Sequence, residues 1–590
     1  MKTHNIKIGI LIYLTILLTS CNNDFLERYP LDEVSNETFW NTESDLKVYN
    51  NSLYNYASND DDVPIMMGHY SNYNSTVYGI WFLDDFSDNV APTNTRHGYC
   101  YQVRAGIHNI PTDPQWYGYK GWYFVRACNI GIANYNSADL SDQVKKKYES
   151  EARLLRGWFY ADKVSKFGDV PWIERELNID SEELYAARTP REEVMEKVLA
   201  DLNFACTYLP DDWGDGNAPG RLNRWCALLV KSRICLFEGT WRKYNGGTDA
   251  NSWLQEAANA ALELIKNGPY SLYSTGDPEH DYNAIHRMID LTGNPEVLYW
   301  RKYESGVVTN NVQAYHKNNN GGATKSFVED YLCTDGLPIS LSPSYFGDAK
   351  IEDVFINRDP RLRQTILHPE DHSYYNYGNS NSYSYPRLIG MTGGVTNNTG
   401  YHIIKVYENN AANAAYNVSI TPAITLRYAE ALLNYAEAVA ELGTITQEDL
   451  DISINKLRDR VAMPHLNLEP PMDPRYANDG VSSLIIEIRR ERRIELFMEG
   501  FRYDDLRRWR QGKKLEKKSL GILWDDAAKL RYPGAKVYST IDEETGKSYI
   551  DVYQGTDYAN PVFDESKHYL WPIPLSSISQ NPNIGQNPGW

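Results

Sequence analysis

The chain has 590 residues, of which 42% are hydrophobic, and a formal charge of −19. A chain this acidic lacks the cationic surface that phosphate backbones demand, which excludes nucleic acid as a partner. The length supports an ample core.

Residues 8–18 form an apolar run behind Lys2 and Lys7, ending in Leu18-Thr19-Ser20-Cys21. The run is shorter than the roughly 20 apolar residues that span a bilayer. It reads as a secretory signal. An aliphatic residue, two small residues and a cysteine resemble a bacterial lipobox, in which the cysteine is acylated and becomes the N-terminus. The plain alternative is an ordinary secretory signal with an incidental cysteine. On the lipobox reading, residues 1–20 are a lipoprotein signal peptide and Cys21 is the lipidation site. Cleavage there removes two lysines and no acid, taking the charge from −19 to −21. Stable anchoring needs more than one acyl chain, and this modification supplies them. No second apolar run reaches spanning length.

Residues 60–120 carry a long loop rich in polar and aromatic residues. Tyr70, Tyr73, Tyr78 and Trp81 fall in it beside Asn74, Asp84 and Asp85. The whole chain holds 45 Tyr and 15 Trp against 15 Phe, a bias that a core alone does not need. Tyr and Trp join a flat apolar face to a hydrogen-bonding handle. A pyranose has the matching surface, with C–H groups on its face and hydroxyls at its rim. Carboxylates and amides accept and donate to such hydroxyls. For any single ring, the plain alternative is that it holds the loop against the scaffold. "NDDDVP" at 59–64 has ligands suited to calcium, but reads first as a solvated acidic loop, and no cofactor is assigned.

Helical patterns then dominate. Ala152, Leu155 and Phe159 recur on one face, and the pattern stops at Gly168. "TPREEVMEKVLADLNFACTYLP" predicts a helix with Thr189 as N-cap and Pro190 in the first position. "GRLNRWCALLVKSRICLFEGT" is apolar on most sides, which predicts a buried helix. "SWLQEAANAALELIKNG" predicts another, closed by Gly268. "GNPEVLYWRKYES" reads as a strand, and its Trp300 and Tyr303 are expected to wall a ligand site. Tyr375, in the second aromatic loop at 371–420, is expected to do the same.

"TPAITLRYAEALLNYAEAVAELG" predicts a helix carrying Leu426, Leu433 and Ala440, and "ITQEDLDISINKLRDRVAMP" predicts its partner. Helix, short turn, helix resembles a tetratricopeptide unit. Such units are expected to stack, each burying a face its neighbour completes.

Six cysteines follow Cys21, with no metal-ligand spacing. Cys128, Cys206, Cys226 and Cys235 fall in helical patterns and read as small buried residues. No HExxH, GxSxG or strand-borne GxGxxG is present. "TGKS" at 545–548 lacks the first P-loop glycine, since Ile541 stands there. Paired carboxylates are abundant, so a glycosidase pair remains an open alternative.

Several longer strings now carry a resemblance. "CNNDFLERYP", "ETFWNTESDLKVYNNSLY", "RACNIGIANYN", "EARLLRGWFYADKVSKFGDVPWI", "INKLRDRVAMP", "IRRERRIELFMEGFRYDDLRRWRQG" and "YLWPIPLSSISQNPNIGQNPGW" resemble the motifs of SusD/RagB-type outer-membrane lipoproteins. The resemblance implies a mainly α fold with four tetratricopeptide-like helix pairs, long loop-rich insertions and few short strands. It implies one SusD-like unit over 21–590, with an N-terminal part at 21–215 and a C-terminal part at 216–590. It implies a non-enzymatic lipoprotein, lipid-anchored in the outer membrane and facing the cell exterior. Such proteins capture oligosaccharides for a SusC-like TonB-dependent transporter. A RagB-like minority handles peptides, which is the first alternative; a glycan-acting enzyme is the second. The arginine-rich motif reads as structural. Ile488, Ile494, Phe497 and Leu506 are expected to supply helix faces, with Glu491, Glu495 and Arg492 pairing along the helix in a buried Arg–Glu network.

Overall fold

The structure, a computed structural model, describes residues 39–590 other than 60–62, 67, 70–78, 93–97, 115–117, 215–219, 319–320, 372–385, 392–395, 409 and 411. Cys21, Tyr70, Tyr73, Asn74, Tyr78, Tyr375 and the acidic run Asp60–Asp62 lie outside the described residues.

Helices build the scaffold. They include α1 (Glu43–Asn59), α2 (Trp122–Asn134), α3 (Asp142–Phe167), α4 (Arg191–Tyr208), α5 (Arg224–Asn245) and α6 (Ala250–Asn267). Later come α7 (Tyr428–Glu441), α8 (Gln447–Asp451), α9 (Ile454–Arg460), α10 (Ser483–Glu495) and α11 (Arg502–Arg508). Successive helices pack on one another: α3 on α4, α4 on α5, α5 on α6, α6 on α7, and α7 on α10. A helix with one apolar face needs such a neighbour, and α5, apolar on most sides, is buried along nearly its whole length. One apolar cluster runs through this stack, from Trp40 to Ile584. Among the described residues, no helix is long and apolar enough to cross a membrane.

Helix ends mostly follow local chemistry. Ser141 caps α3, its side chain accepting from the Val144 N–H, and Gly168, at φ 70°, terminates it. Ala152, Leu155 and Phe159 are fully buried on its inner face. Asn223 caps α5 through Cys226. Cys100, Cys128, Cys226, Cys235 and Cys333 are buried free thiols, and Cys206 is half-buried.

Three local expectations are corrected. Thr189 is not the cap of α4. Its backbone exchanges hydrogen bonds with Val170, at 3.0 and 3.2 Å. Its hydroxyl accepts from Trp172 N–H. Pro190 takes the cap position, and Asp169 Oδ1 accepts from Arg191 N–H at 2.8 Å instead. The residues Ala423–Arg427 are a strand, β4, so Leu426 precedes the helix it was expected to join. The partner helix after Gly443 is broken into α8 and α9, with Ser453 between them.

Strands are few and short. β1 (Val90–Ala91) pairs with β3 (Gly322–Ala323), and β2 (Val297–Arg301) pairs antiparallel with β4. β5 (Leu520–Leu523), β7 (Ser548–Asp551) and β6 (Ser539–Ile541) form a three-stranded sheet in that order.

The arginine-rich motif forms a buried ionic network, but Glu491, Arg492 and Glu495 pair across the chain rather than with one another along the helix. Glu495 of α10 meets Arg427 at 2.8 Å, Arg460 at 2.7 Å and Arg361 at 3.1 Å. Glu491 meets Arg361 and Arg458. Arg492 meets Asp505 of α11 at 2.9 Å. Burial opposes the Glu495 charge, yet Arg460, Arg427 and Arg361 hold its carboxyl well below the usual carboxylate range. Phe497 lies just past α10, fully buried and stacked 3.9 Å from Phe327.

Candidate functional site

Described residues of three segments converge beside the β2–β4 ribbon: those of 63–69, 301–315 and 396–422. β2 holds Trp300 opposite Ile424 and Arg301 opposite Ala423. Past the strand, the Tyr303 hydroxyl reaches the backbone of His69. It accepts from the His69 N–H at 2.7 Å and donates to the His69 carbonyl at 3.1 Å. The His69 ring meets the third segment, its Nε2 lying 3.0 Å from the Pro422 carbonyl. A carbonyl only accepts, so Nε2 carries the proton. Burial pushes the imidazole down to about 4, keeping it neutral.

Gly68 fits this crossing because it has no side chain. A Cβ there would lie 2.2 Å from the Tyr303 hydroxyl and 2.6 Å from Arg301 Cδ. Ile80 N–H donates to the Gly68 carbonyl at 3.0 Å, closing the neck of the loop between them. That loop is the one carrying Tyr70, Tyr73 and Tyr78.

The second and third segments are cross-tied. Asn310 and Ser419 exchange backbone hydrogen bonds, and Asn310 Nδ2 donates to the Thr421 carbonyl at 2.8 Å. Gln313 Nε2 donates to the Val406 carbonyl at 2.7 Å, while its Oε1 accepts from Glu408 N–H. Asn311 and Asn417 join side chains at 3.0 Å. At the rim, Val307 is 78% exposed, Tyr416 41% and Val418 39%. His69, Asn310, Gln313 and Tyr416 were not singled out from sequence. The amide-rich run after β2 was the available signal.

The expected ligand residues within the described part have a different position. Trp81 lies in the 3₁₀ turn Ile80–Phe86 and is buried with Phe82, Val90 and Val312. Asp84 and Asp85 are buried in the same turn. Four of the six residues in "WFLDDF" are apolar, and burying their rings carries the two carboxylates inward. Asp84 accepts from Asn89 Nδ2 at 2.7 Å and from Gly500 N–H at 3.2 Å. Burial, only partly offset by these donors, pushes its carboxyl up to about 6. Burial and then the adjacent Asp84 raise the Asp85 carboxyl well above its ordinary value. Trp300 packs with Ile285, Leu291 and Ile424, and Tyr303 is 2% exposed. In this conformation, Trp81, Asp84, Asp85, Trp300 and Tyr303 offer no open face to a sugar. Among the described residues no group of three His, Cys, Asp or Glu could hold a metal ion.

Comparison with known proteins bears on the whole chain. Residues 287–590 match the SusD family profile, and residues 24–236 match one described as starch-binding, associating with the outer membrane. A SusD-like protein of Bacteroides ovatus is 23% identical over 611 aligned positions, covering 99% of this chain and 97% of that protein. The SusD-like protein P2 of Formosa agariphila is 22% identical, covering 98% and 99%. The crystal structure of a SusD-like carbohydrate-binding protein from Bacteroides fragilis superposes with a TM-score of 0.69 at 22% identity, covering 93% of this chain and all of that one. With the helical stack, sparse strands and family profile in agreement, the chain belongs to the SusD family.

Proposed function

We propose that this protein is a non-catalytic, surface-exposed lipoprotein of the outer membrane, anchored through Cys21, that captures oligosaccharides. It delivers them to a SusC-like TonB-dependent transporter. The observation that carries the reading is the Tyr303–His69 crossing. It gives a rigid, buried root to a loop whose sequence presents Tyr70, Tyr73 and Tyr78 with Asn74. Fixing Gly68 and His69 in advance lowers the conformational entropy lost when the residues that follow them bind a flat sugar face. Family membership supports the reading. So does the name of the B. fragilis protein as a carbohydrate-binding protein, together with that of a surface glycan-binding protein of Bacteroides fluxus with TM-score 0.59.

Titration calorimetry against an oligosaccharide panel tests it. At least one neutral oligosaccharide is expected to bind. Changing Tyr73 and Tyr78 together to Ala is expected to weaken it about tenfold or more, a loss of at least about 1.4 kcal/mol, with the melting temperature unchanged. A panel without a binder, alongside peptides that co-purify with the protein, would overturn the glycan reading.

A further inference from the structure

Between α3, α4, α5 and α11 lies a half-open pocket of about 150 Å³. α3 lines it with Trp158, Ala161, Asp162 and Ser165, while Phe501 and α11 line it with Asp504, Asp505 and Arg508. Both sets repeat at i, i+3, i+4 and i+7, which is one face of a helix. Leu83 and Phe237, both half-buried, extend the apolar part of the wall.

Every charged side chain in this wall is already ion-paired. Asp162 pairs with Lys166, Arg191 with Glu238 and Asp504 with Arg507. Arg233 meets Glu430 at 2.6 Å, Arg492 meets Asp505 at 2.9 Å and Glu499 meets Arg427 at 2.7 Å, while Arg508 pairs with Glu437. A charged ligand would enter with no counter-ion waiting, and an ion taken out of water without a partner is costly. The wall therefore suits a ligand without net charge.

Hydrogen-bonding capacity is left over in both senses. Arg233 donates through Nε and Nη2 to Glu430 and the Thr425 carbonyl. Arg492 donates through Nε to Asp505 and through Nη1 to Asn434. Among the described residues, Arg233 Nη1 and Arg492 Nη2 reach no acceptor. Asp504 accepts from Arg507 through Oδ1, and among the described residues its Oδ2 receives no donor. Phe501 holds both guanidiniums at the wall, their centres 4.9 and 5.2 Å from its ring centre. The Arg233 side chain is 21% exposed and that of Asp504 37%, so both are open to an incoming ligand.

We propose that this pocket is a second saccharide site, which seats one neutral sugar ring of an oligosaccharide. A cavity of about 150 Å³ takes a six-membered ring, and the open side leaves room for the rest of the chain. The C–H face of the ring lies on the apolar wall beside Phe237 and Leu83. Hydroxyls both accept and donate, so they take the N–H groups of Arg233 and Arg492 and give to Asp504 Oδ2. These donors and this acceptor line one ring-sized space, as hydroxyls surround a pyranose, whereas peptide amides run along a chain. The site rests on the glycan reading of the protein but uses none of the aromatic loop at 70–78.

Calorimetric titration of the full chain with neutral gluco-, xylo- and manno-hexasaccharides tests this. It compares wild type, Ala161→Phe, Phe237→Ala and the double change of Tyr73 and Tyr78 to Ala. Ala161→Phe fills the pocket from α3, and Phe237→Ala strips its wall. Wild type is expected to bind two equivalents of one hexasaccharide. Each pocket variant is expected to weaken one equivalent about tenfold or more and to leave the other, which the loop variant removes. A single equivalent that only the loop variant removes would overturn the pocket site and leave the loop reading standing. A single equivalent that only the pocket variants remove would support the pocket and overturn the loop reading. No binding of any hexasaccharide, with co-purifying peptides lost in Ala161→Phe, would make the pocket a peptide site and overturn the proposal. Crystals soaked in the binding hexasaccharide read the site without a substitution. Density for a sugar ring beside Phe237 is expected there, and an empty pocket beside an occupied loop face would overturn the proposal even where the variants fail to fold.

Discussion

The Tyr303 hydroxyl grips the main chain of His69 at both its N–H and its carbonyl, although the residues are 234 positions apart. One side chain at the end of β2 thus sets the root of the aromatic loop. Tyr303→Phe keeps the ring and deletes both hydrogen bonds, leaving the buried His69 N–H unmet. A cost of about 1–3 kcal/mol is expected in denaturant unfolding, with a larger proportional loss in oligosaccharide affinity. Affinity equal to wild type would show that the crossing does not organise the ligand face.

Gly68→Ala probes the same crossing from the other side. The added methyl meets a hydroxyl held in place by two hydrogen bonds, so relief requires the loop root to move. Weakened oligosaccharide binding is expected, with a melting temperature below wild type. Combining it with Tyr303→Phe should cost less than the sum of the two single changes, because residues in contact couple.

Trp81→Ala separates a wall from a support. An exposed stacking ring would leave stability nearly unchanged on removal. Trp81 is 5% exposed in an apolar cluster, so truncation is expected to destabilise by about 3–5 kcal/mol. Thermal unfolding reads the difference directly, and an unchanged melting temperature would contradict the burial.

Glu495 pairs with three guanidinium groups from three separate segments. Glu495→Gln keeps the shape and removes the charge. Breaking a buried ion pair from one side costs about 3–5 kcal/mol, and a loss of that size is expected in the urea midpoint. A shift below about 1 kcal/mol would mean that the arginines find other partners.

The pH dependence has two limbs of opposite sign. Asp84 is pushed up to about 6 and Asp85 is also raised, so the folded state favours their protonated forms. Their stabilisation is complete below the ordinary carboxylate range; that of Asp84 is lost as pH rises through about 6, and that of Asp85 is lost as pH rises through its own raised value. Against the cost of burial, Arg508 holds Glu437 down to about 2, and Arg427 with Lys405 does the same for Glu499. Their stabilisation is complete above 4.5 and is lost as pH falls toward 2. Melting temperature is therefore expected to peak near pH 5 and fall toward pH 8. Asp85→Asn should flatten the upper limb alone. An upper limb unchanged in that variant would assign the fall to other groups.

The helical scaffold was legible in the sequence. The buried face of α3 repeats at helical spacing, and residues such as Asn223 and Gly168 act on groups within one turn. The family was legible too, because its long C-terminal strings, "RRIELFMEGFRYDDLRRW" and "YLWPIPLSSIS", occur intact. Local signals failed where a distant group competed. Thr189 has the chemistry of a cap, but Val170 takes its backbone and Asp169 caps α4 in its place. Helical spacing marked Glu491, Arg492 and Glu495 as possible partners of one another. It carried no information on Arg361, Arg427 and Arg460, which arrive from other segments. "WFLDDF" displays carboxylates and rings alike. Whether they face water or core depended on Val312, Asn89 and Gly500, which no spacing within the motif encodes. Sequence by itself determined the helices, their apolar faces and the family. Only the tertiary structure decided that Trp81, Trp300 and Tyr303 are buried, because burial of an irregular segment is set by the elements packed across from it.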